Sequence, residues 1–348
     1  MEKAYLVLAD GTVFEGQAFG ALVGAVGELV FTTGVVGYLE TLTDAAYAGQ
    51  IVVQTFPLIG NYGVITEDLG GRARPAGYVV REWCDAPNNF RCEGTIDAYL
   101  KREGIPGICG VDTRALTRHL REHGTMNAVI TDAIPADPTK IRAYAVPAMP
   151  ASARTEREVY PAAGEIKYNV TLIDYGCGTQ LIPALTQRGC TVTAVPYNTS
   201  AQAILAEKPD GVILSGGAGD PAANGDAIAE IAALAGNVPL FGVGLGHQML
   251  AIALGAKTEK MHHGHRGGQP VRDLAGSRSY TTVQNHGYAV VSDSVTAGTV
   301  RYVNVNDRSC EGIDYPGKKA FSVQFDPASS QDMGCLFERF CALMGGED

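Results

Sequence analysis

Residues 239 to 255 read Pro239-Leu240-Phe241-Gly242-Val243-Gly244-Leu245-Gly246-His247-Gln248-Met249-Leu250-Ala251-Ile252-Ala253-Leu254-Gly255. A short apolar run enters a glycine-spaced turn and leaves as an amphipathic segment. This is the pattern of a nucleophile elbow, a sharp strand-to-helix turn that holds a reactive side chain above a parallel sheet. The glycines permit strained dihedrals and let strand and helix approach closely. At the apex, where a thiol or hydroxyl would stand, the chain has Gly244. The turn of a catalytic site is written here without its nucleophile.

Upstream of the elbow the chain alternates strand and helix signals. The buried-strand run Val170-Thr171-Leu172-Ile173-Asp174-Tyr175 precedes a helix from Leu181 to Arg188, stopped by Gly189. Val192 to Val195, a helix from Ala201 to Glu207, the run Gly211 to Leu214 and a helix through Ile228 to Leu234 follow. Such alternation predicts right-handed crossovers and a parallel sheet, with the ligand crevice at the carboxyl ends of the strands. The glycine loop at 216 to 219 and the elbow at 242 to 246 both fall at such ends.

The first part of the chain reads differently, as short β-rich segments and then mixed α/β. Tyr5 to Leu8, the turn Asp10-Gly11 and the run Val13 to Gly16 predict a hairpin. Asp112 predicts the N-cap of a helix that carries Leu116 and Leu120 on one face and ends at Gly124. From Ala145 to Gly164 the composition turns to alanine, proline and charge without apolar periodicity, which predicts an interdomain linker. The expected organisation is a domain over 1–144, a linker over 145–166 and a second domain over 167–348.

Composition agrees. A chain of 348 residues suggests two domains on a prior of about 150 residues each. Lys plus Arg, 27, less Asp plus Glu, 37, leaves −10, which argues against nucleic acid or an anionic membrane as the main partner. No stretch reaches the ~18 apolar residues of a membrane span, and Ala4 to Ala9 is too short for a signal peptide. Cys84, Cys92, Cys109, Cys177, Cys190, Cys310, Cys335 and Cys341 have neither metal-ligand nor disulfide-framework spacing. They are expected to be reduced thiols of a cytoplasmic protein.

Several further motifs carry a family resemblance. The elbow resembles the Phe-Gly-x-Cys-x-Gly-His-Gln of class I (triad-type) glutamine amidotransferases, with Gly244 in the place of the cysteine. Ser215-Gly216-Gly217-Ala218-Gly219-Asp220-Pro221, Gly264-His265-Arg266-Gly267-Gly268 and Gln284-Asn285-His286-Gly287-Tyr288-Ala289-Val290 resemble loops of the carbamoyl-phosphate synthase small chain. In the amino-terminal half Gly37-Tyr38-Leu39-Glu40, Leu42-Thr43-Asp44, Gln50-Ile51-Val52, Ile59-Gly60-Asn61-Tyr62-Gly63 and Val111-Asp112-Thr113-Arg114-Ala115-Leu116-Thr117 follow the same family in order. The resemblance implies an α/β fold: a small-chain β/α domain followed by a flavodoxin-like, parallel-sheet glutamine amidotransferase domain. It also implies a large-chain partner and a role in supplying ammonia from glutamine for pyrimidine and arginine synthesis, with no cofactor.

A triad glutaminase needs an elbow cysteine, a histidine to deprotonate it and a carboxylate to orient that histidine. Backbone N–H groups then stabilise the oxyanion. In the family the histidine and carboxylate lie in a Gln-Gly-His-Pro-Glu segment, matched here by Gln324-Phe325-Asp326-Pro327-Ala328. Pro327 anchors the match, which puts Asp326 at the histidine position and Ala328 at the carboxylate position. The seven histidines are His119, His123, His247, His262, His263, His265 and His286, so none lies in this segment. With Gly244, Asp326 and Ala328 at the triad positions, no catalytic residue is expected to be intact.

By the same resemblance Ala46, Gly217, Gly219, Leu245, Gln248, Asn285, Gly287 and Tyr288 fall at positions that hold glutamine, although Ala46 replaces a family serine. The backbone amides of Gly219 and Leu245 are expected to form an oxyanion-hole-like nest. Alternatively, the glycines persist because the loops need them to fold. Gly176-Cys177-Gly178-Thr179-Gln180 departs from the family's Gly-x-Lys-x-Asn, and makes Cys177 the best candidate for a substitute nucleophile. Gly242-Val243-Gly244-Leu245-Gly246 is not a dinucleotide fingerprint, because His247 stands where its third glycine belongs. His262, His263 and His265 have ligand chemistry, but the resemblance makes their loop structural, and no metal site is expected.

Three functions fit these readings. One is a small chain that supports a large synthetase chain while ammonia comes from solution. A second is a free-standing pseudo-glutaminase that senses glutamine or another small amide. The third is an amidotransferase with a non-standard nucleophile.

Overall fold

The run Tyr168–Asp174 forms a strand whose last five residues are buried, and successive side chains enter opposite layers. Leu172 joins one hydrophobic cluster with Ile213, Phe241 and Phe321. Its neighbour Ile173 joins another with Val212, Leu214 and Leu240. This period-2 division of continuous apolar runs marks a sheet covered on both faces. The computed structural model describes residues 2–22, 24–135, 137–147 and 154–346. The chain divides into two compact units, Met1–Pro147 and Ala148–Asp348.

In the second unit five strands run parallel, in the spatial order Cys190–Pro196, Tyr168–Asp174, Gly211–Leu214, Leu240–Val243 and Ala320–Val323. The intervening helices are Leu181–Thr186, Ala201–Ala206, Gly225–Leu234 and Leu245–Ala253, each close to the sequence expectation. Phe241 and Phe321 stack across neighbouring strands with ring centroids 4.4 Å apart, and Phe337 and Phe340 of the helix Cys335–Gly345 pack against Phe241.

Beyond Ala320–Val323 the sheet continues antiparallel through Cys310–Tyr315, Ser279–Val290, Thr258–Asp273 and Thr299–Asn304. At the opposite edge Glu158–Tyr160 pairs antiparallel with Cys190–Pro196. That strand lies inside the stretch expected to be a linker, and Arg154 Nε reaches Asp174 Oδ2 at 3.4 Å. Chain with no apolar period is held here by backbone pairing and charge. Residues 148–153 of the same stretch lie outside the described residues.

The first unit is a closed barrel. Its seven strands follow the spatial order Lys3–Leu8, Val13–Gly20, Pro106–Cys109, Gly77–Val79, Gln50–Gln54, Ala25–Thr32 and Met126–Thr131, which pairs back with Lys3–Leu8. The expected hairpin is present, with Val7 opposite Val13. Leu6, Leu29, Ile51, Val79 and Ile108 share one core with Leu116 and Leu120 of the helix Thr113–His123. Asp112 caps that helix by accepting the Ala115 N–H at 3.0 Å, and the helix ends at Gly124.

Candidate active site at the glycine elbow

The strand Leu240–Val243 passes into the helix Leu245–Ala253 through Gly244 alone. Gly244 sits at φ +56°, ψ −114° and donates its N–H to the Val323 carbonyl at 2.9 Å. A β-carbon there would stand 3.2 Å from Gly216 Cα and 3.9 Å from the Gln324 carbonyl oxygen, tight but not closed. Any non-glycine residue at such a φ carries a strain of about 1–3 kcal/mol. Gly246 is excluded from substitution by packing instead, because its β-carbon would meet the Leu214 carbonyl oxygen at 2.5 Å. Its N–H donates to the Ser215 carbonyl at 3.0 Å, which ties the helix start to the glycine loop.

That loop is pinned from the neighbouring strand. Asp174 Oδ1 accepts the N–H groups of Gly176 and Gly178, each at 2.9 Å, and Ser215 Oγ accepts the Tyr175 N–H at 2.8 Å. Cys177 donates its N–H to the Gly216 carbonyl at 3.0 Å. A β-carbon on Gly216 would lie 3.7 Å from the Cys177 sulfur. Cys177, Gly216 and Gly244 are therefore successive neighbours. Gly217 bridges to Gly176, and Leu245 Cδ2 lies 2.9 Å from where a Gly217 β-carbon would be. Gly219 turns the loop at φ +93°.

The strand Ala320–Val323 leads to Asp326 and Ala328, the residues expected at the family's histidine and carboxylate positions. Asp326 Oδ1 accepts the Ala328 N–H at 2.8 Å, and its Oδ2 accepts the Ser329 hydroxyl at 2.5 Å. The Asp326 N–H donates to the Val283 carbonyl at 3.0 Å. Ala328 is exposed. The Asp326 carboxylate thus closes its own turn.

Gln248 ties three elements together. Its Nε2 donates to the Tyr288 carbonyl and to Gln324 Oε1, each at 2.7 Å. Asn285, Gly287 and Tyr288 share the strand Ser279–Val290, where Asn285 pairs with Arg266. Gly217, Leu245, Gln248 and Tyr288 are thereby linked around the elbow through the Gly217–Leu245 approach and the Gln248 bonds. Ala46 belongs to the first unit, where its N–H caps on Asp44 Oδ1 at 2.9 Å.

Two features escaped the sequence. His247, fully buried, meets Ser322 Oγ through Nδ1 at 2.7 Å, while its Nε2 has no hydrogen-bond partner among the described residues. Burial lowers its pKa to about 3, so the ring is neutral. The second is a cluster beneath the hairpin. His265 Nε2 meets Asp307 Oδ2 at 2.9 Å, and its Nδ1 lies 3.0 Å from Gln284 Oε1 and 3.2 Å from Glu311 Oε1. His286 Nδ1 meets the Tyr288 carbonyl at 2.7 Å, and its Nε2 lies 3.0 Å from Gln284 Oε1.

Burial, then the charges of His265 and Arg266, lower the His286 pKa to about 3. Burial would lower His265 too, but the Glu311 and Asp307 carboxylates overcome it and raise its pKa. Burial raises that of Glu311 against the pull of His265. Only the Gly-His-x-Gly-Gly and Gln-Asn-His segments hinted at this cluster; Glu311 reaches it from the strand Cys310–Tyr315 and Asp307 from the turn that precedes that strand.

Residues 6–130 match the family described as carbamoyl-phosphate synthase small chain, CPSase domain, and residues 171–341 match glutamine amidotransferase class-I. The chain is 43% identical to the carbamoyl phosphate synthase small chain of Bacillus caldolyticus, over 98% of this chain and 96% of that one. It is 42% identical to the pyrimidine-specific small chain of Bacillus subtilis over the same shares. The Streptococcus mutans small chain is 42% identical, over 99% of this chain and 97% of that one. Among the described residues no helix is long and apolar enough to cross a membrane. A parallel sheet carrying a glycine elbow, joined to a small-chain barrel and matched along nearly its whole length, places this chain in the carbamoyl phosphate synthase small-chain family.

Proposed function

We propose that this chain is a carbamoyl phosphate synthase small subunit that does not hydrolyse glutamine by the family's thiol mechanism and acts on a large chain as a structural or regulatory partner. The observation that carries the reading is Asp326. At the position of the family's base stands a carboxylate whose two oxygens are spent on Ala328 and Ser329, while the elbow apex is Gly244. A thiol mechanism has neither its nucleophile nor its base in these places. The second-unit residues Gly217, Gly219, Leu245, Gln248, Asn285, Gly287 and Tyr288 are proposed to retain a glutamine-shaped site without turnover.

The test is co-expression with the large chain encoded by the same organism. The two chains are expected to co-purify and to form carbamoyl phosphate from ATP, bicarbonate and ammonium, with no response to glutamine. Glutamine-dependent synthesis would reject the inactive reading, and failure of two folded chains to associate would reject the partner. A second reading is favoured by the position of Cys177, one glycine away from the elbow apex. In that reading its sulfur replaces the missing nucleophile, and glutamine-dependent synthesis would be abolished by Cys177→Ala.

A further inference from the structure

His265, His286, Gln284 and Glu311 turn lone pairs towards one another. The Asp307 carboxylate and the Tyr288 carbonyl only accept hydrogen bonds, so the ring nitrogens facing them, His265 Nε2 and His286 Nδ1, carry hydrogen. The opposite nitrogens, His265 Nδ1 and His286 Nε2, are then lone pairs, and both face Gln284 Oε1 at 3.0 Å. Gln284 Nε2 is committed elsewhere, to Glu311 Oε2 at 2.9 Å and Thr282 Oγ1 at 3.0 Å. Glu311 Oε1 closes the group 3.2 Å from His265 Nδ1, and its side chain has no exposure to solvent. Asn304 Nδ2, at 3.4 Å from His265 Nδ1, is a donor only at the long limit.

A proton on one ring does not repair this arrangement. Placed on His265 Nδ1, it leaves His286 Nε2 against Gln284 Oε1. Rotating the Gln284 amide serves both rings but sets its oxygen 2.9 Å from Glu311 Oε2, which must then carry a proton to donate to it. A cation at the centre satisfies all four groups at once. The ligand atoms of His265, His286 and Glu311 lie within 4.8 Å of one another. A tetrahedral ion bound at about 2.0–2.1 Å needs ligand atoms roughly 3.3 Å apart, against 3.0, 3.0 and 3.2 Å for the close pairs here.

The surroundings are those of a metal site. Imidazole ligands characteristically donate their second N–H to a carboxylate or a backbone carbonyl, which is what Asp307 and Tyr288 accept. A doubly charged ion would also balance the Asp307 and Glu311 carboxylates, sparing a fully buried, uncompensated charge. Asp307 is half exposed and marks the side from which an ion enters. We propose that His265, His286 and Glu311, with Gln284 Oε1, bind one divalent ion of the zinc class, using Asp307 and the Tyr288 carbonyl as outer supports. The Tyr288 carbonyl also receives Gln248, so the ion would brace the hairpin against the elbow helix.

The test uses the full chain, grown with zinc and dialysed in chelator-treated buffer. Elemental analysis is expected to give about one zinc per chain, and Glu311→Gln or His265→Gln to give less than a tenth of that, with folding verified by circular dichroism. Replacing the exposed His262 by glutamine should leave the content unchanged. Asp307→Asn, which keeps all ligands, is expected to weaken zinc binding about 10–100-fold. Cobalt-loaded protein should show visible bands without the strong near-ultraviolet thiolate band that its eight free cysteines would produce. A folded wild-type chain that retains no zinc and shows no saturable one-to-one binding by calorimetry would overturn the proposal in favour of a proton-sharing network. A thiolate band, or loss of zinc in His262→Gln alone, would overturn it in favour of a surface or cysteine site. None of these measurements depends on glutamine or on the large chain.

Discussion

A β-carbon on Gly244 would stand 3.2 Å from the α-carbon of Gly216, so the elbow and the glycine loop are separated by little more than one atom's width. The space beside the elbow is therefore bounded by backbone.

Gly244→Cys is expected to fold, with a melting temperature lowered by about 2–12 °C. The strain of a non-glycine residue at φ +56° is about 1–3 kcal/mol, and each kcal/mol shifts a domain of this size by about 2–4 °C. The variant should release no ammonia from glutamine above a protein-free control, because Asp326 cannot serve as the imidazole base. Scanning calorimetry and an ammonia assay check the two halves.

Combining Gly244→Cys with Asp326→His and Ala328→Glu should restore weak hydrolysis or a glutamyl thioester visible by intact mass spectrometry. Turnover stays low because replacing Asp326 removes the acceptors of the Ala328 N–H and the Ser329 hydroxyl, loosening the loop that must hold the new histidine. A folded triple variant that neither binds glutamine nor forms the adduct would show that the pocket has decayed along with the triad.

Gln248→Leu is expected to destabilise the second unit by about 1–3 kcal/mol in urea unfolding. The substitution strands the Oε1 of buried Gln324, whose donor it removes. The Tyr288 carbonyl keeps its bond from His286, so the loss should fall short of two full hydrogen bonds. Glutamine affinity, where present, should fall with it, because the tie between elbow helix and hairpin is cut.

Acid should unfold the protein partly through His247. Its folded pKa of about 3 lies below the unfolded value of about 6.5, so below pH ~6.5 the unfolded chain takes up a proton that the folded chain refuses. Stability is present above pH ~6.5 and is lost as pH falls towards 3, with a slope of about 1.4 kcal/mol per pH unit from this one group. His247→Asn is expected to flatten that limb in urea titrations at pH 4 to 7. An unchanged slope would show that His247 is protonated at no cost.

The sequence by itself determined the local elements and their order. The glycine-spaced turn at 242–246 announced the strand Leu240–Val243 and the helix Leu245–Ala253, because close approach and strained dihedrals need glycine wherever they occur. The continuous apolar runs at 170–174 and 211–214 announced parallel strands buried on both faces, and Asp112 and Gly124 announced the ends of a helix. These are properties of neighbouring residues, so they are legible in a single chain.

What only the tertiary structure decided depends on residues far apart. Lys3–Leu8 closes the barrel by pairing with Met126–Thr131, and neither strand names its partner. Asp326 is tied through its N–H to the distant Val283 carbonyl, a partner that its own segment does not name. Glu158–Tyr160 extends the sheet from a stretch without hydrophobic period, because an edge strand is held by backbone hydrogen bonds that any composition supplies. His265, His286 and Glu311 converge only once the antiparallel hairpin Thr258–Asp273 and Ser279–Val290 folds beside Cys310–Tyr315. Hydrogen-bond registry between strands, and not residue type along one strand, brings such side chains to a common point.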